Sequence, residues 1–292
     1  MVGGILADQM GLGKILTTLS AIVGSLHLAH LWAGSASSMS VPTTGATLVI
    51  APSESIINQW MRDIKNHLAA QSLRVLKYHG SKRTQSCEHF TACDVVLSTY
   101  ATVSAEFRAG AGRLHTVRWF RIVLDEAHTI RDPSTAQFRA ISTLFTKLRW
   151  CLTGTPIQNS LQDLGSLVRF LRIPELDSNS KFRQHIINPE EKGQNIGFTN
   201  LRVLLSSACL RRTKQLLKLP EPERTSHGIK LSTEEMIEYS RIIGQANVAV
   251  ETAVSEGRSA DARRTVFTMI LKLRLLHAWL LLSSMGKFTR RY

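Results

Sequence analysis

Ile122-Val123-Leu124-Asp125-Glu126-Ala127-His128 is the stretch on which the reading of this chain turns. Three apolar residues ahead of two adjacent carboxylates describe a buried strand that ends in acid. At such an end one carboxylate can hold a magnesium ion and the next can orient a water. Upstream, Ile5-Leu6-Ala7 runs straight into Asp8-Gln9-Met10-Gly11-Leu12-Gly13-Lys14. Glycines there let main-chain N–H groups approach phosphate oxygens, and the lysine reaches the β- and γ-phosphates. The pattern G-x-x-x-x-G-K-[ST] is met in part, because Asp8 replaces its first glycine and Ile15 its hydroxyl residue. Together the two stretches point to nucleotide hydrolysis. Lys14, Asp125 and Glu126 are the catalytic candidates, with Asp125 the metal ligand. Asp8, Gly11, Leu12, Gly13, Lys14 and Ile15 form the cofactor-binding loop.

Strands and helices alternate outward from these points. The apolar spacing predicts a helix over residues 15–31, a strand over 47–51 stopped by Pro52, and a helix over 55–70. Strands are expected at 75–78, 94–99, 121–124 and 149–152, and a helix at 134–147. Such alternation implies a mainly parallel α/β sheet, which places ligands at the carboxyl ends of its strands. The glycine turn, the acid pair and Thr153-Gly154-Thr155 all follow strand ends. Beyond Pro174 helical patterns dominate, at 200–210, 233–254 and 262–282, with loops at 188–197 and 219–224. The expected organisation is an ATP-binding lobe over 1–174 and a helical extension over 175–292.

The chain has 292 residues, 43% of them hydrophobic, enough for a sizeable core. Lys and Arg number 36 against 22 Asp and Glu, a net charge of +14 that suits a polyanionic partner. Arg211, Arg212 and Lys214 read either as phosphate contacts or as a solvated helix face. Cys87, Cys93, Cys151 and Cys209 form no CxxC pair and fit reduced thiols. Cys87, His89 and Cys93 lack a second pair at finger spacing, which argues against a zinc site. No basic-then-apolar leader opens the sequence, and the apolar run 275–282 is too short to span a bilayer. Cytosol or nucleus is the expectation, without a membrane partner.

The ordered segments GGILADQMGLGK, TLVIAPSESIINQW, DVVLSTYATV, RIVLDEAHTIRDPST and LTGTPIQNSLQDLGSLVRFL resemble motifs I, Ia, Ib, II and III of the Swi/Snf-type helicase-like ATPases of helicase superfamily two. The wording is most similar to the branch of the helicase-like transcription factor and the postreplication-repair ATPases. LRVLLSSACLRRTK and LKLRLLH resemble the linking region after the first lobe. The resemblance implies a RecA-like, P-loop first lobe that uses ATP and Mg2+ to act on double-stranded DNA or nucleosomes in the nucleus, with chromatin or repair proteins as possible partners. It implies that His128, Thr153, Gly154, Thr155, Gln158 and Asn159 couple the nucleotide to lobe movement. It also implies that Ala51, Pro52, Ser98, Thr99 and Tyr100 face the DNA backbone.

Three departures accompany the resemblance. The family has threonine, a magnesium ligand, where this chain has Ile15. The sequence begins at motif I, ahead of which the family reads adenine. It ends soon after LKLRLLH, before the second lobe and its arginine finger. These departures motivate the expectation of impaired hydrolysis, and an alternative in which the chain is a non-catalytic DNA- or chromatin-binding module or a truncated remnant. An RNA helicase, suggested by the letters DEAH, is opposed by the wording of motifs I and III.

Overall fold

The computed structural model describes residues 3–35, 41–80, 88–110, 112–191, 195–217, 225, 231–257, 261–262 and 264–275. The expectations placed on Cys87, on 219–224 and on the chain beyond 275 lie outside the described residues, as does the His89 side chain.

Seven strands form one sheet. They are β1 (Gly3–Leu6), β2 (Thr43–Ala51), β3 (Val75–Lys77), β4 (Val95–Thr99), β5 (Arg118–Asp125), β6 (Thr146–Leu152) and β7 (Cys209–Leu210). Their order is β3-β4-β2-β5-β6-β1-β7, and every pairing is parallel. The helices of the lobe are α1 (Lys14–Gly24), α2 (Leu26–Ser35), α3 (Glu54–His67), α4 (Glu88–Thr91), α5 (Tyr100–Arg108), α6 (Ala136–Ser142), α7 (Leu161–Leu171), α8 (Asn179–Phe182), α9 (Asn188–Glu191) and α10 (Asn195–Ala208).

The two-residue period of a strand sends neighbours to opposite faces, so a sheet covered on both sides reads as continuous apolar runs. Ile5, Leu48, Ile50, Val96, Ile122 and Leu124 join a core with Tyr100, Val103, Phe138, Ile141, Leu164, Leu167 and Phe170. Leu6, Val49, Ala51, Val95, Leu97 and Val123 join a second core with Leu19 and Ile22 of α1 and Ile57 and Trp60 of α3. The sheet is therefore the middle of three layers.

The structure differs from the sequence reading in several places. The helix expected over 15–31 is two, broken at Ser25 with a bend of 54°. The helix expected over 134–147 stops at Ser142, and β6 starts at Thr146, earlier than expected. Residues 143–147 carry too few apolar side chains to separate strand from helix by period. Part of the expected loop at 188–197 is helical. Cys209–Leu210, expected at the end of a helix, is instead the edge strand β7 beside β1. A two-residue strand has no periodicity of its own, so only its partner reveals it. Among the described residues, no single helix is long and apolar enough to cross a membrane.

The chain forms two compact units, residues 1–220 and 221–292. The first contains the sheet and the helices up to α10. The second contains α11 (Thr233–Ser255), whose Ser232 Oγ accepts from the Glu235 N–H while Glu235 Oε2 accepts from the Ser232 N–H. Residues 264–275 of that unit are also helical.

At the far edge of the sheet Asp94 gathers three elements. It accepts from the Arg74 N–H at 2.8 Å, from Arg74 Nε and Nη2 at 3.0 and 2.7 Å, and faces His30 Nε2 of α2 at 3.1 Å. Burial pushes the Asp94 carboxyl upward, but the Arg74 and His30 hydrogen bonds outweigh it and hold the carboxyl at about 2. A carboxyl lowered in the folded state adds stability above its unfolded value and loses it as pH falls toward the folded one. Wild type is therefore expected to exceed an Asp94→Asn variant by about 1 kcal/mol near neutral pH, a figure reduced for the exposed Arg74. That gap closes as pH drops from about 4 to about 2. Urea unfolding across this pH range measures it, and a gap independent of pH would refute the ion-pair account.

Candidate functional site

The parallel register brings the motifs together. Leu152 is paired with Leu6 of β1 on one side and with Asp125 of β5 on the other. At ~4.8 Å per strand, the ends of β1 and β5 stand ~10 Å apart, with Thr153 between them.

The loop after β1 turns through Gly11 and Gly13 at φ 90° and 73°, the left-handed region that side chains disfavour. Gly13 precedes α1, and the Thr17 N–H closes on its carbonyl at 2.9 Å. The first amides of α1 thus point into the hollow of the loop without helix partners, an arrangement that suits anions. Lys14 folds back over the loop and donates from Nζ to the Asp8 carbonyl at 3.0 Å. Leu12 lies on the outer bend, with its N–H on the Gln9 carbonyl at 3.2 Å.

Asp8, standing where the phosphate-loop pattern has a glycine, is fully buried. Its carboxylate accepts from the Arg212 N–H at 2.8 Å, from Arg212 Nε and from Arg212 Nη2. Burial raises the Asp8 carboxyl, and the Arg212 hydrogen bonds more than reverse the rise, leaving it below its ordinary range. This corrects the reading of Arg212 as part of a solvated helix face: it follows β7 and is the counter-ion of a buried acid. Nothing in local sequence spacing pairs residues this far apart.

Ile15 is half-buried and packs on the second core beside α3. Its methyl groups have apolar neighbours there, and it offers no oxygen to a metal. Thr18 does not replace it, because its hydroxyl donates to the Lys14 carbonyl at 2.8 Å.

Asp125 ends β5 almost fully buried. Oδ2 accepts from Trp60 Nε1 at 2.8 Å and Oδ1 from the Glu126 N–H at 3.0 Å. Burial lifts its carboxyl above the ordinary range against the lowering effect of the Trp60 bond. In the sequence Trp60 reads only as core packing. Its position among apolar residues at helical spacing hides the indole N–H that holds Asp125. Tyr100, buried at the start of α5, donates to the Asp125 carbonyl at 2.9 Å.

Glu126 has φ 47°, uncommon for a residue with a side chain. Its Oε2 stands 3.2 Å from His128 Nδ1, but at an angle that leaves both atoms buried without a hydrogen bond. Backbone strain and orphaned polar atoms gather at functional sites, because only the surrounding fold sustains them.

Thr153 is buried, its N–H on the Leu6 carbonyl at 3.1 Å. A Cβ on Gly154 would lie 3.9 Å from Lys14 Nζ, which places this loop against the phosphate loop. Thr153 Oγ1 accepts from the Thr155 N–H at 3.2 Å, and Gln158 Nε2 reaches Thr155 Oγ1 at 3.3 Å. Arg131, past the acid pair, donates to Gln158 Oε1. Asp163 Oδ2, unforeseen from the sequence, accepts from the Gln158 and Asn159 N–H groups at 3.1 and 2.8 Å. Its signal is the S-x-x-D spacing at the start of α7.

The five residues expected to face DNA divide. Pro52 is exposed. Ala51, Ser98, Thr99 and Tyr100 are buried, and the Tyr100 hydroxyl is engaged by Asp125. Their side chains shape the rim from within and do not reach solvent.

A family model described as the SNF2-related domain matches residues 1–278. The putative SWI/SNF-related matrix-associated actin-dependent regulator of chromatin subfamily A member 3-like 1 of Arabidopsis thaliana is 32% identical, over 94% of this chain and 35% of that protein. DNA repair protein RAD5A of the same plant is 31% identical, over 93% and 31%. The human helicase-like transcription factor is 32% identical, over 82% and 25%. The chain thus spans about a third or less of the length of these relatives. Among solved structures, the Sulfolobus solfataricus SWI2/SNF2 ATPase core in complex with dsDNA superposes with a TM-score of 0.61 at 29% identity, over 94% of this chain and 54% of that one. The all-parallel sheet is the RecA-like fold of that core, and the chain belongs to the SNF2-related family.

Proposed function

We propose that this chain carries the ATP-binding lobe of a DNA-dependent ATPase, of the kind that moves on duplex DNA in chromatin remodelling or repair. The observation that carries the reading is the meeting of Lys14, Asp125-Glu126 and Thr153-Gly154-Thr155 on three adjacent strand ends. The lobe would comprise 1–174. The helical extension over 175–292 would begin with segments that pack in the same compact unit, up to residue 220.

The residues suit a magnesium nucleotide in all but one respect. Gly11 and Gly13 leave room for phosphate oxygens, and Lys14 can exchange the Asp8 carbonyl for them. Each Asp125 oxygen accepts one N–H and keeps a lone pair for a metal or its water. Ile15 brings no hydroxyl, so the ligand set is one oxygen short. Bound magnesium would neutralise the phosphate charge and orient the chain for attack. Glu126, held at its strained turn with a free carboxylate oxygen, would orient the attacking water. His128, Thr153, Thr155, Gln158 and Asn159 would sense the phosphate through Gly154 and pass its state along the Arg131–Gln158 contact.

The Sulfolobus neighbour was solved with duplex DNA, and the +14 charge supports the same partner here. The contact would run over the rim at Pro52 with main-chain groups of the β2 and β4 ends. Nuclear residence, and repair or chromatin partners, follow by analogy with the relatives' names.

Calorimetric titration with a non-hydrolysable ATP analogue tests the nucleotide reading. Wild type is expected to bind and Lys14→Ala to lose binding by tenfold or more, on the order of a charge-assisted contact. Equal affinity for the two would place the nucleotide elsewhere. Ile15→Thr is expected to strengthen binding with magnesium and leave binding in chelator unchanged. An identical magnesium dependence in both proteins would remove the metal-ligand argument. Duplex DNA affinity is expected to fall about tenfold or more between ~50 and ~200 mM salt, the loss for two phosphate contacts. A flat response would count against DNA.

A further inference from the structure

The segment after β7 is strapped across the phosphate loop. The Ala7 N–H donates to the Leu210 carbonyl at 2.7 Å, and the Gln9 N–H to the Arg212 carbonyl at 3.1 Å. Asp8 takes the Arg212 guanidinium and main-chain N–H, and Gln9 Oε1 accepts from the Lys214 N–H at 2.8 Å. Every residue from Ala7 to Gln9 is thereby tied to residues 210–214, and the central tie is between a buried carboxylate and its counter-ion.

This strap sets the position of Lys214. A Cβ built on Gly11 would lie 3.7 Å from Lys214 Cε and 4.0 Å from its Nζ, and apart from its chain neighbours no other described residue comes within 4 Å of that point. The ammonium therefore lies against the glycine whose missing side chain opens the loop. Among the described residues no carboxylate pairs with it, although Arg212, two positions earlier, is fully engaged. An ammonium held beside an anion hollow without a counter-ion of its own is free to take the ligand's charge.

We propose that Lys214 is a second phosphate-binding cation of the nucleotide site, positioned over Gly11 by the Asp8–Arg212 clamp. The inference rests on the nucleotide reading above and extends it to a residue from the far end of the compact unit. Lys14 approaches the polyphosphate from the start of α1, and Lys214 from the strap on the other side of the loop. With Ile15 offering no metal ligand, two ammonium groups carry a larger share of charge neutralisation. Arg212 acts through Asp8 and through the main chain of the strap, and does not itself reach the phosphates. It is a positioning residue.

The test titrates the non-hydrolysable ATP analogue, inorganic tripolyphosphate and adenosine into wild type, Lys214→Gln, Lys214→Arg and Lys14→Ala at low salt. Lys214→Gln is expected to weaken the analogue and tripolyphosphate by about tenfold, as for loss of one charge-assisted contact. Adenosine affinity and the melting temperature should stay unchanged, because the side chain is exposed. Lys214→Arg keeps the charge and should restore affinity to within about threefold. Analogue binding by Lys214→Gln within about twofold of wild type, with Lys14→Ala impaired, overturns the role of Lys214 and leaves the nucleotide site standing. Absence of binding by wild type and every variant overturns the nucleotide reading and this inference together.

Discussion

The double pairing of Leu152 is the constraint on which the rest of the site depends. One residue of β6 is held in register with the last residue of β1 and the last residue of β5. Because the strands are parallel, the loops that leave their carboxyl ends emerge on the same rim. A phosphate loop, an acid pair and a threonine-glycine-threonine loop from distant parts of the chain become neighbours for that reason alone. A shift of one residue would exchange the faces of β6 and move Thr153 away from Lys14. The apolar side chains buried on both faces hold the register against such a shift.

Around that rim the polar groups are supported in pairs from opposite layers. Asp125 is held by Trp60 of α3 on one side and, through its carbonyl, by Tyr100 of α5 on the other. A buried carboxylate without donors costs several kcal/mol, so these bonds make the acid tolerable at the end of a buried strand. Asp8 shows the same logic at higher charge. Its carboxylate is sealed from solvent and matched by a forked guanidinium that brings in its own main-chain N–H. Breaking one member of such a pair leaves an uncompensated buried charge, so the phosphate loop and the strand-β7 strap stand or fall together.

Ile15 and Glu126 mark where this lobe departs from a site built only for stability. Ile15 packs against the second core and offers no oxygen to the loop it follows. Glu126 sits at positive φ with a carboxylate oxygen that has no hydrogen bond. The first residue adds apolar contact to the fold, and the second retains strain beside Asp125 at the end of β5. Membership of the SNF2-related family fits this local chemistry.

Much of the fold is legible in the sequence. Continuous apolar runs ahead of glycine, acid and threonine identify buried parallel strands, since only a strand covered on both faces needs every residue apolar. The glycine turn and the acid pair are legible for the same local reason: each is a short run of fixed residue types directly after an apolar strand. The break between α1 and α2, the short edge strand β7 and the early start of β6 depend on partners elsewhere, and no local period encodes them. Trp60, Asp163 and Arg212 are hidden in the sequence because their roles are defined by what they touch. A tryptophan among apolar neighbours reads as core until Asp125 is set against its N–H, and an arginine near the end of a helix reads as solvated until a buried carboxylate arrives from the other end of the unit. The sequence by itself determined the chemistry available on the strand ends. Tertiary structure alone decided which side chains hold it in place, because burial and charge pairing are properties of contacts between segments distant in the chain.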